Sequence, residues 1–448
     1  MAGAALAALI VIGAAAAWPV DDQHVDDRPN VIVVVTDDQP ADTFDAMPWL
    51  DGELSRPGSG WFTVPNAFAN TPLCCPSRAS LLTGRYARHH GVLDNDDGAR
   101  LDESSTLATW LHDAGYRTGL VGKYLNEFPF GRPPYVPSGW DRFVAKRNQT
   151  GATVYRDFHA IDQGSPVFVR EYATDWLAER AVRFVETAPP DRPFFLLFAP
   201  SAPHPPWIPA ARHVGAYTDE PVAEAPNVVG ALRGAPPWVR SLPEPSAAQR
   251  AAWLAERRRA DETLLAVDGA LRSIVEALGD RLDDTVMFVL SDNGYSFGGH
   301  RWQGKKCPYE ACVRIPLAVH SQRAAGVGPS PSVVSMVDLA PTILGLAGLP
   351  ARTDLDGAPF TSWIEADLTA PFERPNLALL EWAGDDDVPA WEAVRTPVLK
   401  LIRYADGREE LYDLGGRRGP PDPWEMDNRV DDPRYATILT RLRGLLGR

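Results

Sequence analysis

The strongest constraint on this chain is a run with no polar alternation. Val31-Ile32-Val33-Val34-Val35 is apolar throughout, and Asp37-Asp38 follow it almost at once. A half-wet strand would alternate, so an unbroken β-branched run predicts a strand buried on both faces, as in a parallel sheet covered by helices. Val286–Leu290 repeats the pattern and leads into Ser291-Asp292-Asn293-Gly294. In open α/β sheets, ligands gather beyond the carboxyl ends of strands. Asp37, Asp38, Asp292 and Asn293 would there form an all-oxygen ligand set, suited to calcium or magnesium rather than zinc. Either pair alone reads more simply as a turn. Their repetition after two buried strands favours a metal.

Thr118–Val121, Phe194–Ala199 and Ile315–Val319 are further strand-like runs. Helical spacing covers Leu107–Ala114, Tyr172–Glu186 and Ala251–Leu278. The alternation predicts an α/β fold: a large, mostly parallel sheet sandwiched by helices. Residues 200–250 are rich in proline without clear periodicity and predict a long surface excursion. After Pro350, Trp391–Thr396, Val398–Tyr404 and Glu410–Leu414 predict a small C-terminal α+β subdomain with antiparallel strands. The expected division is 30–350 for the catalytic domain and 351–448 for the subdomain.

Residues 1–20 carry no charged side chain and read as a signal peptide or N-terminal membrane anchor, with residues 21–29 as an acidic linker. Export is therefore expected. The net charge of −15 argues against a nucleic-acid partner. Four cysteines are too few for a disulfide scaffold.

Cys74-Cys75-Pro76-Ser77-Arg78 opens another site. Pro76 suits the first turn of a helix, and Gly84 suits its end. Arg78 lies one helical turn from Cys74 on the same face. From these residues alone, a low-pKa thiol and a packed core cysteine both remain open. His89-His90 point in different directions on a helix and read as helix-end surface residues.

The segment Cys74–Gly84 resembles the sulfatase signature C-x-P-S-R-x-x-x-L-T-G at every fixed position. Gly115-Tyr116-Arg117-Thr118 with Gly122-Lys123 is similar to that family's second signature. Ala202-Pro203-His204-Pro205-Pro206, Ser291–Gly294 with His300, Lys305, Tyr309 and Glu310, Met336–Thr342, and Glu410–Leu414 resemble further family segments. The run Gly122–Glu127 and the pair Cys74-Cys75 are most similar to the glucosamine-6-sulfatase branch.

The resemblance implies an alkaline-phosphatase-like fold and hydrolysis of a sulfate ester, with a sulfated carbohydrate as the expected substrate. It implies that a separate formylglycine-generating enzyme oxidises Cys74 to formylglycine, whose hydrate attacks sulfur with one hydroxyl and expels sulfate with the other. Asp37, Asp38, Asp292, Asn293 and modified Cys74 would hold calcium, or magnesium. Arg78 would orient the diol, Lys123 and Lys305 would hold sulfate oxygens, and His204 would serve the leaving oxygen, with His300 a second candidate there. Much of the family has a His where this chain has Leu125; Asn126 is a partial substitute as a donor. Cys307 and Cys312 are free to pair, and Cys75 is left alone beside the site. The expected loops 127–165 and 205–250 carry specificity. The alternatives are a phosphodiesterase or phosphonate monoester hydrolase of the same superfamily, and an inactive protein that binds sulfated glycan.

Overall fold

A computed structural model describes residues 26–147, 150–220, 222–230, 232–324, 332–365 and 376–446. The proposed signal or anchor, 1–20, lies outside the described residues, as does most of the 21–29 linker. Among the described residues no helix is long and apolar enough to cross a membrane.

Nine strands form the main sheet, in the order Trp61–Thr63, Leu317–His320, Thr285–Ser291, Asn30–Thr36, Phe194–Ala199, Arg117–Lys123, Arg142–Lys146, Phe158–Asp162 and Ser165–Val169. The central five are mutually parallel. The two strands at each edge run antiparallel. The expected parallel sheet is thus the centre of a mixed one. Its central strands give the unbroken apolar runs because both their faces are covered.

Val31, Val33, Val35, Phe288 and Leu290 pack on one face, in a cluster that includes the helices Cys74–Thr83, Leu107–Asp113 and Leu339–Leu346. Ile32, Val34, Met287 and Val289 pack on the other, in a cluster that includes Ala173–Glu186 and Ala247–Leu278. Each such side chain contributes about 1.5–3 kcal/mol through burial. Ala247–Leu278 begins four residues before the expected start because the Ser246 side chain accepts a bond from Gln249 N and caps it.

Ile315–Val319 is two strands, not one. Pro316 supplies no N–H, and the chain changes sheet there. Arg314–Ile315 pairs with Asn66–Phe68, while Leu317–His320 joins the main sheet. The 200–250 stretch is less superficial than expected: it forms short helical turns, and Trp207, Val228 and Val239 are buried.

The C-terminal sheet has four antiparallel strands: Ala378–Trp382, Trp391–Arg395, Leu399–Tyr404 and Glu409–Asp413. Trp382, Trp391, Tyr404 and Tyr412 pack with Phe68, Leu73, Tyr309 and Cys312 in one apolar cluster. The small sheet is therefore welded to the larger body. The helix Ala436–Arg443 covers its other face through Leu439 and Leu442. Cys307 and Cys312 form a disulfide with a Cα–Cα separation of 5.7 Å.

Candidate active site

The two apolar strands are in register, with Thr36 opposite Ser291. Their carboxyl ends therefore deliver Asp37 and Asp292 side by side. Asp38 follows with a φ of 67°, a left-handed conformation that Asp tolerates better than most residues. Its backbone N–H donates to Asp292 Oδ1 at 3.1 Å.

The helix Cys74–Thr83 points its N-terminus at these carboxylates, and all ten of its residues are buried. Gly84, at φ 64°, ends it. Cys74 Sγ lies 3.3 Å from Asp37 Oδ1 and 3.8 Å from Asp38 Oδ1. Arg78, one turn on, donates from Nε to Asp292 Oδ2 at 2.8 Å and from Nη1 to the Lys123 carbonyl at 2.9 Å.

Lys123 ends its strand just after Gly122, whose φ is 129°. A Cβ at Gly122 would stand 2.0 Å from the Ala199 carbonyl oxygen, so only glycine lets the strands approach this closely. Lys123 Nζ donates to Asp37 Oδ2 at 2.7 Å. Lys305 Nζ donates to Asp38 Oδ1 at 2.8 Å and lies 2.7 Å from Cys74 Sγ. His204 sits in a turn closed by its own N–H to the Ser201 carbonyl. Its Nδ1 meets the Pro205 carbonyl at 2.7 Å, and its Nε2 lies 3.7 Å from Asp38 Oδ2.

Burial alone would raise the Asp37 carboxyl, but Lys123, His204, Arg78 and Lys305 outweigh it and hold it well below the usual range. Burial and the Asp37 charge push Asp292 up. Burial, then Asp37, pushes the Cys74 thiol well up, so the low-pKa thiol open from sequence is not what the fold builds. Burial disfavours the Lys305 ammonium, yet Asp38 and its neighbours raise it well above normal.

The residues present fit a hard cation. Asp37, Asp38, Cys74 and Asp292 bring their ligand atoms within 4.8 Å of one another. Asn293 spends its amide on Asp38 Oδ1, at 2.7 Å, and on the Gly294 carbonyl. Asn293 Oδ1 and Asp38 Oδ2 are then buried acceptors without a hydrogen-bond donor. Such atoms are costly unless something positive meets them.

Nine expected residues thus converge: Asp37, Asp38, Cys74, Arg78, Lys123, His204, Asp292, Asn293 and Lys305. His300 does not join them. It is buried, stacked on Tyr309 with ring centroids 3.5 Å apart, with Nε2 at the Glu425 carbonyl and Nδ1 at Asn227. Burial pulls its pKa down to about 3, so it is a neutral packing residue and the expected leaving-group role is corrected. Leu125 lies in the apolar core. Asn126 is buried beside it, and its side-chain oxygen has no hydrogen-bond partner among the described residues. Cys75 is buried, as expected, with its thiol pushed up to about 12 by burial. His89 is exposed and pairs with Asp356, whereas His90 is tucked against Ser80. Lys146 is not among the residues that the sequence motifs single out. It is buried at the end of Arg142–Lys146 and shares a pocket with Asp37, Lys123 and His204. The apolar run Phe143-Val144-Ala145 just before it was the available signal.

Comparison with known proteins returns sulfatases by sequence, while the solved structures of the same fold also include a phosphonate monoester hydrolase from Agrobacterium radiobacter, with a TM-score of 0.72 at 22% identity, covering 94% of this chain and 95% of that one. The family model described as Sulfatase matches residues 29–349, and one described as N-sulphoglucosamine sulphohydrolase, C-terminal, matches residues 298–448. A Bacteroides thetaiotaomicron protein named N-acetylglucosamine-6-O-sulfatase is 28% identical, over 94% of this chain and 86% of its own length. A human N-acetylglucosamine-6-sulfatase is 32% identical, over 74% of this chain and 63% of its own length. A solved structure in complex with its substrate D-glucosamine-2-N,6-O-disulfate superposes with a TM-score of 0.80 at 25% identity, covering 94% of this chain and 97% of that one.

Proposed function

We propose, from the premise that this chain belongs to the sulfatase family and is a sulfuric ester hydrolase, that it removes the sulfate of an N-acetylglucosamine-6-sulfate-like sugar. The observation that carries this reading is the convergence of Cys74 Sγ, three carboxylates and Lys305 at the ends of two buried strands.

Asp37, Asp38, Asp292, Asn293 and position 74 would hold a calcium ion. That ion would supply positive charge to the sulfate oxygens and lower the cost of forming an alkoxide. A formylglycine at position 74 would supply, as its hydrate, a nucleophilic hydroxyl and a second hydroxyl to expel the product. The protein's own groups do the rest. Arg78 is fixed by Asp292 and the Lys123 carbonyl, so it orients position 74 rather than roaming toward substrate. Lys123 and Lys305 fix the carboxylates and present charge where sulfate oxygens bind. His204, held through Nδ1, offers Nε2 toward the site and is the group positioned to protonate the leaving sugar oxygen. Three cations already balance Asp37, Asp38 and Asp292. A divalent ion would tip the cleft positive inside a chain of net charge −15.

Maturation by a formylglycine-generating enzyme and export belong to the same proposal, and the Cys307–Cys312 disulfide fits an oxidising compartment. So does the division into a catalytic domain, 30–350, and a subdomain, 351–448.

The test is sulfate release from N-acetylglucosamine-6-sulfate with calcium present, set against a phosphonate monoester and a phosphate diester. Higher kcat/KM on the sulfate supports the reading. Preference for phosphorus overturns it in favour of the phosphonate or phosphodiester alternative. Tight sulfated-sugar binding without turnover by protein carrying formylglycine would favour the glycan-binding one.

A further inference from the structure

Five lysine or arginine residues are buried among the described residues: Arg78, Lys123, Lys146, Arg395 and Lys400. Four of them meet a carboxylate within 3.1 Å. Lys146 alone forms no ion pair, although it is only 5% exposed. Burying an unpaired ammonium costs several kcal/mol, and the Phe158 ring, 5.5 Å from Nζ, offsets a fraction of that. A fold keeps such a group where a ligand supplies the missing charge.

The surroundings say which ligand. Lys146 pairs in register with Lys123 across parallel strands, so the two side chains leave the same face about 4.8 Å apart. Both line a pocket with Asp37, Arg147, Ser201 and His204. Asp37 is already engaged by Lys123. Arg147 is exposed at the rim and makes no ion pair among the described residues. The pocket therefore carries surplus positive charge. Burial and the adjacent Lys123 pull the Lys146 ammonium down to about 8, as expected of a cation awaiting an anion. Unlike Lys123, which is bonded to Asp37, Lys146 is bonded to neither Asp37 nor Cys74 and stands one strand farther from the nucleophile, so it is placed for a group beside the ester under attack.

We propose that Lys146, with Arg147 at the rim, binds a second anionic group, a sulfate or carboxylate, on the same sugar as the scissile ester. The site then selects doubly charged sugars over singly sulfated ones. This rests on the sugar-sulfate reading above.

The test compares kcat/KM for 6-O-sulfate release from N-acetylglucosamine-6-sulfate and glucosamine-2-N,6-O-disulfate, using wild type, Lys146→Met and Lys146→Arg. Wild type should favour the disulfate. A charge-assisted contact contributes about 1.5–3 kcal/mol, so Lys146→Met should cut the disulfate-to-monosulfate ratio about 10–100-fold, and Lys146→Arg should keep most of it. Thermal stability of Lys146→Met should not fall, because the substitution removes an unpaired buried charge. An unmoved ratio, an equal loss on both sugars, or a marked drop in melting temperature overturns the proposal while leaving the sugar-sulfate reading intact. Failure of wild type on both sugars removes that reading and this inference together.

Discussion

Two buried charged clusters among the described residues are finished differently. At the strand ends, Asp38 Oδ2 and Asn293 Oδ1 accept nothing, and a thiol sits among carboxylates. Beside the small sheet, the network closes on itself. Lys400 donates to Glu310 at 3.1 Å and to Glu425 at 2.7 Å, Arg395 donates to Glu310 through two nitrogens, and Glu425 also accepts the Glu310 N–H. Tyr404, Tyr412 and Tyr309 all donate to Glu410. A complete network holds elements together. One with unmet acceptors is built for something that arrives later. Burial and charge alone do not tell the two apart; unsatisfied atoms do.

That contrast breaks most sharply at Cys74. Cys74→Ala should reduce sulfate release on the order of 10⁶-fold, as removal of a nucleophile does, with melting temperature nearly unchanged. Turnover near wild type would refute the assignment. Chelation is the next blow. It should abolish activity, and calcium should restore it more readily than zinc. Calcium at about 100 times its dissociation constant should also stabilise the fold by about 2.7 kcal/mol. A melting temperature indifferent to both chelator and calcium would mean the open acceptors are not a metal site.

The closed network should answer in stability instead. Lys400→Met leaves Glu425 buried without its cation, while Glu310 keeps Arg395, and should cost about 3–5 kcal/mol in denaturant unfolding. Its kcat per folded molecule should change far less. A collapse of kcat with stability intact would erase the distinction.

The smallest effect is in pH. Burial, then the Glu310 charge, raises the Glu425 carboxyl to about 7 against the pull of Lys400. A folded pKa above the unfolded one means the native state binds the proton more tightly. This contribution is fully present below about 4.3, the ordinary glutamate value, and is lost as pH rises through about 7. Stability should therefore decline from pH 5 to pH 8 by more in wild type than in Glu425→Gln. Parallel curves would contradict it.

How far the chain could be read follows from the same physics. Val31–Val35 and Val286–Leu290 were legible because double-sided burial leaves no polar alternation, and the acidic residues after them could only emerge at one sheet edge. Strands with an open face were not. Phe158–Asp162 and Ser165–Val169 lie at the antiparallel edge, where His159 and most of Ser165–Val169 face solvent, and the first of them falls inside the stretch 127–165 that reads as loop. Ala378–Trp382 alternates in burial and also escaped. Spacing to Lys305 does not reveal which face His300 takes, and the left-handed backbone there turns its ring onto Tyr309. Lys146 was missed because its meaning is relational: only the register with Lys123 makes it a neighbour of the site.

The most direct measurement is the mass of the peptide spanning Cys74 in catalytically active protein, made where a formylglycine-generating enzyme is present. The expected result is a peptide lighter by the change from –CH2SH to –CHO, in proportion to specific activity. Fully active protein whose position 74 remains entirely thiol would contradict it.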